Sequence, residues 1–581
     1  MWLYQVATLR RCCGSPRPCW SLGGEAWRWG AGTSRLAVMS ERNLVQIGTH
    51  EFEGDSSLTP ATLASQLGSG MRLDPGRQAI VRHQWFDTFD WRLFGAGFIL
   101  ELATSEGGQP AQVRLSTPSN GPVRTADAGA TAIAGAERRR SLALAALVPS
   151  EPIRTQLEPI VGVRTLLPVA TATTRSTTYR ILNGDSKTVA RLVVEEPFLS
   201  HPDERISATR VAVDPVRGYE VEAGKLARKL SLAPGLRASH TRPLMAALAA
   251  AGRTPGDYSG RFEVALEPTM PSGSALRSIL ARLEAAAAAN IPGVLADLDT
   301  EFLHDLRVAV RRARSALKLL GDALPGAEGR ALAVDLKWMG DLTTPTRDLD
   351  VYLLQLTTPG EATICSDLFP FRTFLQQQRR LAQRSLARGL RSRRWAVALE
   401  GWRSLAAPRS EAPYPGDSPM VAAPIGQVAA VRVQRAYQRC LRLGEMITAD
   451  SPATDLHALR KRCKELRYLL EFFSSILARA PYRAVTDQLK ALQDCLGEFQ
   501  DTQVQGAEMQ QFAEAMLAAG SAQAATLLAM GRATEQLLTR QRQARDLFTI
   551  RFAHFANRAT RGQVARLDPF PPGQRADQDQ L

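Results

Sequence analysis

The stretch 302–320 carries basic side chains at a spacing suited to contact with a polyanion. On a helix, side chains separated by steps of three and four residues lie on one face. Such steps join one stripe of residues: His304, Arg307, Arg311, Arg314 and Lys318. Guanidinium groups present planar forks of donors that match phosphate oxygens, and the lysine ammonium adds a point charge. The stripe therefore predicts a helix face that binds phosphate groups.

A second stripe with the same pattern follows 153 residues later. It consists of His457, Arg460, Lys464 and Arg467, with Glu471 at the position equivalent to Lys318. Beside each basic stripe runs an apolar stripe, which must be buried. The apolar stripes are Phe302, Leu306, Val310, Ala313, Leu317 and Leu320 in the first helix, and Leu456, Leu459, Cys463, Leu466, Leu470 and Phe473 in the second. Both helices are thus predicted to anchor a basic face on a core.

The offset of 153 residues continues beyond these two helices without a gap. It pairs Lys337 with Lys490, Asp348 with Asp501, Trp395 with Phe548, and Trp402 with Phe555. Such a register indicates an internal duplication, with halves at about 274–420 and 427–566. Two equal helical halves are expected to pack as pseudo-symmetric bundles whose basic faces line a shared groove. Lys337, Lys490 and Arg347, whose counterpart is Gln500, complete the predicted phosphate contacts.

The region 41–232 is rich in β-branched residues and is predicted to form strands. It contains two Glu-x-Glu pairs, Glu51 with Glu53 and Glu220 with Glu222. On a strand, both carboxylates of each pair would point to the same face. Facing pairs inside a barrel would supply oxygen ligands for a divalent cation such as Mg²⁺ or Mn²⁺.

The order of features in this region resembles the CYTH domain of triphosphate tunnel metalloenzymes. A Glu-x-Glu pair comes first, the sequence FDTFDWRL at 86–93 follows, and the second Glu-x-Glu pair comes last. The resemblance implies an antiparallel barrel in which the four glutamates hold the metal and Arg175 and Arg180 contact triphosphate. Two departures favour a degenerate, non-catalytic barrel: Asp55 stands where the family has lysine, and Glu101 stands where it has arginine.

The repeated helix resembles the CHAD domain, the conserved histidine α-helical domain. The motif occurs as HDLRVAVRRAR at 304–314 and HALRKRCKELR at 457–467. The resemblance implies a helical domain over 274–566 that binds inorganic polyphosphate along a basic surface, without a cofactor. The two histidines either bind phosphate and gain charge as the pH falls, or orient their helices through a neighbouring acceptor.

The predicted fold class is α+β with two domains, a strand-rich domain followed by a helical one. A chain of 581 residues exceeds one domain, and the formal charge of +15 indicates an anionic partner. Proline and glycine mark a linker at 233–273 with one short helix near 244–251, while 1–40 is predicted to be a disordered leader or a misassigned start and 567–581 a disordered tail. Scattered cysteines and the lack of a long apolar run predict a cytoplasmic protein without a membrane partner.

Binding of inorganic polyphosphate by the helical half is the function that these patterns favour, and it would allow association with polyphosphate granules. The enzyme alternative is metal-dependent hydrolysis of a triphosphate in the barrel. Nucleic-acid binding is a second alternative. It is less favoured because the basic stripes contain no aromatic residues on which bases could stack.

Overall fold

A computed structural model describes the chain at residues 50–54, 60–67, 71–105, 111–117, 124–127, 143, 147–148, 151–198, 208–238, 243–324, 326–356, 366–408 and 418–569. The predicted leader, Asp55 and most of the predicted tail lie outside these residues. The chain divides into two compact units between Ser259 and Gly260, inside the predicted linker. Each unit is described separately below.

The first unit is built on one antiparallel sheet. Its strands are β1 (His50–Gly54), β2 (Arg72–Asp87), β3 (Ile99–Ser105), β4 (Gln112–Ser116), β5 (Arg124–Asp127), β6 (Leu167–Leu182), β7 (Thr188–Phe198), β8 (Thr209–Pro215) and β9 (Leu236–Ala238). Its helices are α1 (Pro60–Leu67), α2 (Arg92–Gly95), α3 (Glu151–Val161), α4 (Glu220–Ser231) and α5 (Pro243–Ala250). The last of these is the short helix predicted near 244–251.

The strand order is β5-β4-β3-β2-β6-β7-β8-β1-β9. Every described pair is antiparallel, which confirms the predicted strand direction. Among the described residues no pairing joins β5 to β9, so the predicted closed barrel is wrong there and the sheet is open. Apolar side chains of α4, including Leu226 and Leu230, pack with Phe52, Leu192 and Val211 from the strands in one core.

The sequence FDTFDWRL forms the turn that leads from β2 into α2. The Asp87 carboxylate accepts hydrogen bonds from the backbone N–H groups of Thr88 at 2.7 Å, Leu93 at 2.9 Å and Phe94 at 2.9 Å. Burial raises the pKa of Asp87 to about 6, although these hydrogen bonds act in the opposite direction. The aspartate therefore acts here as a buried helix cap.

The segment that contains Glu220 and Glu222 is a helix, so the predicted strand is wrong. Both residues lie in the first turn of α4. The buried residues of this helix are Ala223, Leu226, Ala227 and Leu230, whose spacing of three and four residues is helical. Two residues apart on a helix, the carboxylates point in different directions, and negative charge suits the helix N-terminus. Glu220 accepts a hydrogen bond from the Gly218 N–H at 3.0 Å.

The second unit is helical wherever its regular elements are described. Its helices are α6 (Ser272–Ala296), α7 (Thr300–Leu320), α8 (Gly326–Gln355), α9 (Phe369–Leu390), α10 (Arg393–Ala406), α11 (Pro419–Ala422), α12 (Ile425–Glu445), α13 (Ala453–Phe472), α14 (Arg479–Ala518), α15 (Ala524–Ala556) and α16 (Arg558–Ala565). A short 3₁₀ turn at Gly321–Ala323 follows α7.

The helix boundaries repeat with the sequence. The helices α6, α7 and α8 begin 153 residues before α12, α13 and α14, respectively. The copies differ later: the first breaks between α9 and α10, where Ser392 caps α10, whereas α15 runs through the equivalent positions. The backbone thus carries the duplication that the sequence offset predicts.

Both predicted apolar stripes lie in the core of this unit. Every residue of the two stripes is buried, as are Trp395, Trp402, Phe548 and Phe555. By length and composition one described helix, α6, could also cross a membrane. Its contacts are those of a bundle helix, because its Leu280 carbonyl accepts a hydrogen bond from Trp402 Nε1 at 3.1 Å and its Glu284 pairs with Arg403 at 2.8 Å.

Candidate anion-binding site

The helices α7 and α13 pair across the two copies through two salt bridges. Arg312 of α7 lies 2.8 Å from Glu471, and Lys318 of α7 lies 2.6 Å from Glu465. As residue numbers rise on one helix they fall on the other, so the two helices run antiparallel. Residues 312 and 465 are equivalent in the repeat, as are 318 and 471. The two bridges therefore join the same two positions of the repeat. At each of these positions the first copy carries a cation and the second copy carries a carboxylate.

The basic stripes of the two copies act on each other across this pair. Burial, together with the positive charges of Arg460 and Arg311, lowers the pKa of Lys464 to about 8. Arg460 lies on the same helix as Lys464, but Arg311 belongs to the other copy. Arg311 and Arg314 are exposed, whereas Lys464 is half-buried. The two stripes thus form one positive field, which we call the paired basic face: Arg307, Arg311, Arg314, Arg460, Lys464 and Arg467.

The helices that follow α7 and α13, which are α8 and α14, hold the first arginine of each basic stripe in place. Arg307 Nη1 donates to the hydroxyls of Thr344 at 2.7 Å and Thr343 at 3.2 Å, both on α8. Arg460 Nη2 donates to the Asp501 carboxylate on α14 at 3.0 Å. Burial lowers the pKa of Arg307. These partners fix the direction of each guanidinium group, so less side-chain entropy is lost when an anion binds.

The predicted histidines lie one turn before these arginines and are half-buried. His457 Nδ1 is 2.6 Å from Gln500 Oε1. An amide oxygen only accepts, so the geometry assigns the proton to Nδ1 and leaves Nε2 for a second partner. Arg347 occupies the position equivalent to Gln500, and its Nη1 donates to the Thr300 carbonyl at 3.2 Å. Arg347 therefore braces the start of α7, and its positive charge also contributes to the lowered pKa of Arg307. Its contact with phosphate stays a prediction.

The remaining basic residues that were predicted to contact phosphate differ in their ion pairs. Lys318 is bound to Glu465, Lys337 to Asp341 at 3.1 Å, and Arg467 to Glu471 at 2.7 Å. Lys490 is exposed. Exposed ion pairs contribute roughly 0–1 kcal/mol. Such pairs can exchange their carboxylate for phosphate at little cost, but Lys318 also joins the two copies and is a weaker candidate.

Three further basic residues lie at these helices and were missed by the stripe analysis. They are Arg312, Lys461 and Arg462. Arg312 and Lys461 each follow a stripe residue directly, in the sequences RRAR and LRKRC, and Arg462 comes two residues after Arg460. Adjacent residues lie about 100° apart on a helix. Their signal in the sequence was the doubling of basic residues, which indicates charge on a neighbouring face.

The candidate residues of the first unit do not assemble as predicted. The Glu51 carboxylate lies 2.7 Å from Arg210, and Arg175 lies 3.3 Å from Glu196. Arg180 pairs with Asp74. Arg175 and Arg180 are five residues apart on β6, so alternation places them on opposite faces of the sheet.

Glu51 and Glu53 do share one face of β1, but Glu220 and Glu222 lie on a helix. Within the described ranges, no three His, Cys, Asp or Glu side chains converge on a point that could hold a metal ion. Metal binding by these four glutamates stays a prediction, and the strand geometry on which it was based is wrong for the second pair.

This geometry defines a class of domain. It is a duplicated helical unit in which a basic helix of one copy pairs with the equivalent basic helix of the other. Residues 278–510 match the family model of the CHAD domain. This part of the chain is therefore a CHAD domain, as the repeated histidine motif predicted. The CYTH-like identity of the first unit stays a prediction, because the matched residues begin at 278.

Two solved structures are similar to the helical part of the chain. The crystal structure of the CHAD domain from the plant Ricinus communis is 26% identical, with a TM-score of 0.43, and covers 52% of this chain and 97% of that chain. PptA from Streptomyces chartreusis is 19% identical, with a TM-score of 0.36, and covers 49% of this chain and 99% of that chain. No curated protein sequence matches this chain.

Proposed function

We propose that the CHAD domain of this chain binds inorganic polyphosphate along the paired basic face of α7 and α13. The observation that supports the proposal best is the pairing of α7 with α13 through Arg312–Glu471 and Lys318–Glu465, which places the basic helices of both copies next to each other. In agreement, the positive charge of Arg311 contributes to the lowered pKa of Lys464. Cations held this close repel each other, so a polyanion that lies between them relieves the repulsion.

A linear chain of phosphates suits this arrangement better than an isolated anion. Side chains three and four residues apart on a helix lie about 5–6 Å from each other, so successive phosphates can meet successive side chains. Several phosphate contacts together release several counterions, which produces high affinity and a steep dependence on salt. Binding of this kind would allow the protein to associate with polyphosphate granules.

The first unit has no catalytic part in this proposal. Glu51 is occupied by Arg210, and the second glutamate pair lies on α4. The unit is then a degenerate relative of the tunnel enzymes, which retains an antiparallel sheet and the Asp87 cap.

A salt-resolved titration with long-chain polyphosphate tests the binding proposal. The variant Arg311→Glu/Arg314→Glu reverses two exposed charges on the paired basic face. We expect about a hundredfold loss of affinity near 0.1 M salt, and a salt slope lower by about two contacts. The matched control, Arg388→Glu/Arg391→Glu, reverses two exposed arginines, one in the last turn of α9 and one directly after it. Equal losses in both variants would mean that net charge alone attracts the ligand, and would contradict the proposal.

Competition with single-stranded DNA separates polyphosphate binding from nucleic-acid binding. We expect polyphosphate to displace labelled DNA at a lower concentration of negative charge than DNA displaces labelled polyphosphate. The opposite order would favour a nucleic-acid binder.

A further inference from the structure

A cavity of about 640 Å³ lies beside α13, and its lining includes Lys461, the residue that directly follows Arg460 of the paired basic face. Its polar lining includes Lys318, Thr454, His457, Lys461, Arg462 and Gln500. A volume in the range of about 300–1,000 Å³ is typical of sites for small ligands. The cavity includes the first turn of α13, and a helix N-terminus favours negative charge.

The charges around this cavity are unbalanced. Glu465 is the carboxylate in the lining, and it is shared by Lys318 at 2.6 Å and Arg462 at 2.8 Å. Lys461 is exposed and forms no ion pair within the described part of the chain. Three cations therefore face one carboxylate, and His457 adds a ring whose Nδ1 is occupied by Gln500. A ligand with about two negative charges would balance this excess.

The equivalent place in the first copy is built with the opposite charge. At an offset of 153 residues, Thr454 corresponds to Glu301, Ala458 to Asp305, Lys461 to Val308 and Gln503 to Asp350. There the carboxylates are neutralised from within the chain. Arg379 lies 2.8 Å from Asp350 and also binds Asp297, and Arg347 lies 4.0 Å from Glu301. One copy thus satisfies its charges internally, and the other leaves cations for a ligand.

We propose that the cavity beside His457 is a separate site for a terminal phosphate group. The proposal rests on the proposed function, because a polyphosphate chain held on the paired basic face is one source of such a group. An internal phosphate of the chain carries about one negative charge, whereas a terminal phosphate carries up to two near pH 7. Free orthophosphate is the other source with the same chemistry. The paired basic face then follows the chain, and the cavity recognises its end.

Three ligands separate the parts of this proposal by calorimetric titration of the full chain. Tripolyphosphate has two ends, cyclic trimetaphosphate has none, and orthophosphate is the terminal group alone. We expect saturable binding of tripolyphosphate, and at least about tenfold weaker binding of trimetaphosphate. Orthophosphate as tight as tripolyphosphate would support the site with free phosphate as its source.

The variant Lys461→Glu is expected to weaken tripolyphosphate about tenfold and long-chain polyphosphate less than about threefold. Lys461→Arg should retain binding, since it keeps the charge. Arg558→Glu is the matched control, because it makes the same charge change on an exposed residue of α16. Arg311→Glu/Arg314→Glu should show the opposite selectivity, with the larger loss for the long chain.

Each outcome distinguishes this inference from the function on which it rests. Unchanged tripolyphosphate binding in Lys461→Glu, or equal binding of trimetaphosphate, would overturn the end-recognition site while long-chain binding stands. If the wild-type protein does not bind long-chain polyphosphate, the proposed function itself is overturned.

Discussion

Beside its histidine, the first copy of the repeat carries the carboxylates Glu301, Asp305 and Asp350, whereas the second copy lines the equivalent place with Lys461 and Arg462. The two copies share helix starts and a buried apolar stripe. They differ at exposed and half-exposed positions, such as Val308 against Lys461 and Arg347 against Gln500. Core positions are constrained by packing density, while surface charges change at little cost in stability. The duplication has therefore kept one backbone and given its two copies different electrostatic roles.

The largest expected effect concerns the internal neutralisation of the first copy. Asp350 is buried, with a side chain that is 1% exposed, and Arg379 is its partner. Arg379→Ala leaves this carboxylate unpaired, so we expect a loss of about 3–5 kcal/mol of unfolding free energy. Urea denaturation followed by far-ultraviolet circular dichroism measures the loss.

The second copy provides the control for this prediction. Arg532 is equivalent to Arg379, but its pair with Asp367 is exposed and 3.4 Å long. Arg532→Ala should cost less than about 1 kcal/mol. Equal losses in the two variants would remove the contrast between the copies.

A smaller difference is expected between the two bridges that join α7 to α13. The side chains of Arg312 and Glu471 are 15% and 17% exposed, while Lys318 is 66% exposed. Arg312 also lies over the Phe262 ring. Arg312→Glu should therefore cost about 2–3 kcal/mol and Lys318→Glu less than about 1 kcal/mol. A larger loss in Lys318→Glu, measured by the same denaturation, would contradict this ranking.

The pH dependence of polyphosphate binding is expected to come from Lys464. Its pKa of about 8 means that the free protein loses this charge as the pH rises through 8. Bound phosphate favours the charged form, so binding takes up a proton above that pH and affinity falls. We expect about a threefold to tenfold loss between pH 7 and 9.5.

Lys464→Arg supplies the control for the pH profile, because arginine stays charged over this range. Its affinity should change by less than about twofold between the same pH values. A profile in Lys464→Arg as steep as that of the wild type would assign the titration to another group.

The smallest expected effect lies in the first unit. We expect no release of phosphate from tripolyphosphate with Mg²⁺ or Mn²⁺ beyond the level of Glu51→Gln, since Arg210 occupies Glu51. A malachite green assay measures the release. Metal-dependent release that disappears in Glu51→Gln would restore the enzyme alternative.

Local periodicity was sufficient to predict most of the helical unit. The apolar stripe from Phe302 to Leu320 and its copy depend on burial alone, and the fixed offset revealed the duplication. The same reasoning failed at Glu220 and Glu222, where two acidic residues were assigned to a strand. The helical spacing of Leu226 and Leu230, just beyond them, was the stronger signal.

The details of the candidate site depended on tertiary packing and were not predictable. Lys318 and Glu471 looked like a mismatch between the copies, yet each pairs with a residue of the other helix. The role of Lys461 depends on the cavity between elements distant in sequence. The sheet order, which leaves the barrel open, likewise follows from long-range pairing.

The swapped signs of the two bridges decide which helices can recognise each other. At these positions α7 is positive twice, with Arg312 and Lys318, and α13 is negative twice, with Glu465 and Glu471. Two copies of α7 from different molecules would bring like charges together in the same antiparallel arrangement, and so would two copies of α13. Only the mixed pair is complementary. The duplicated domain therefore selects its own second half as partner and discourages the symmetric dimer that identical copies would form.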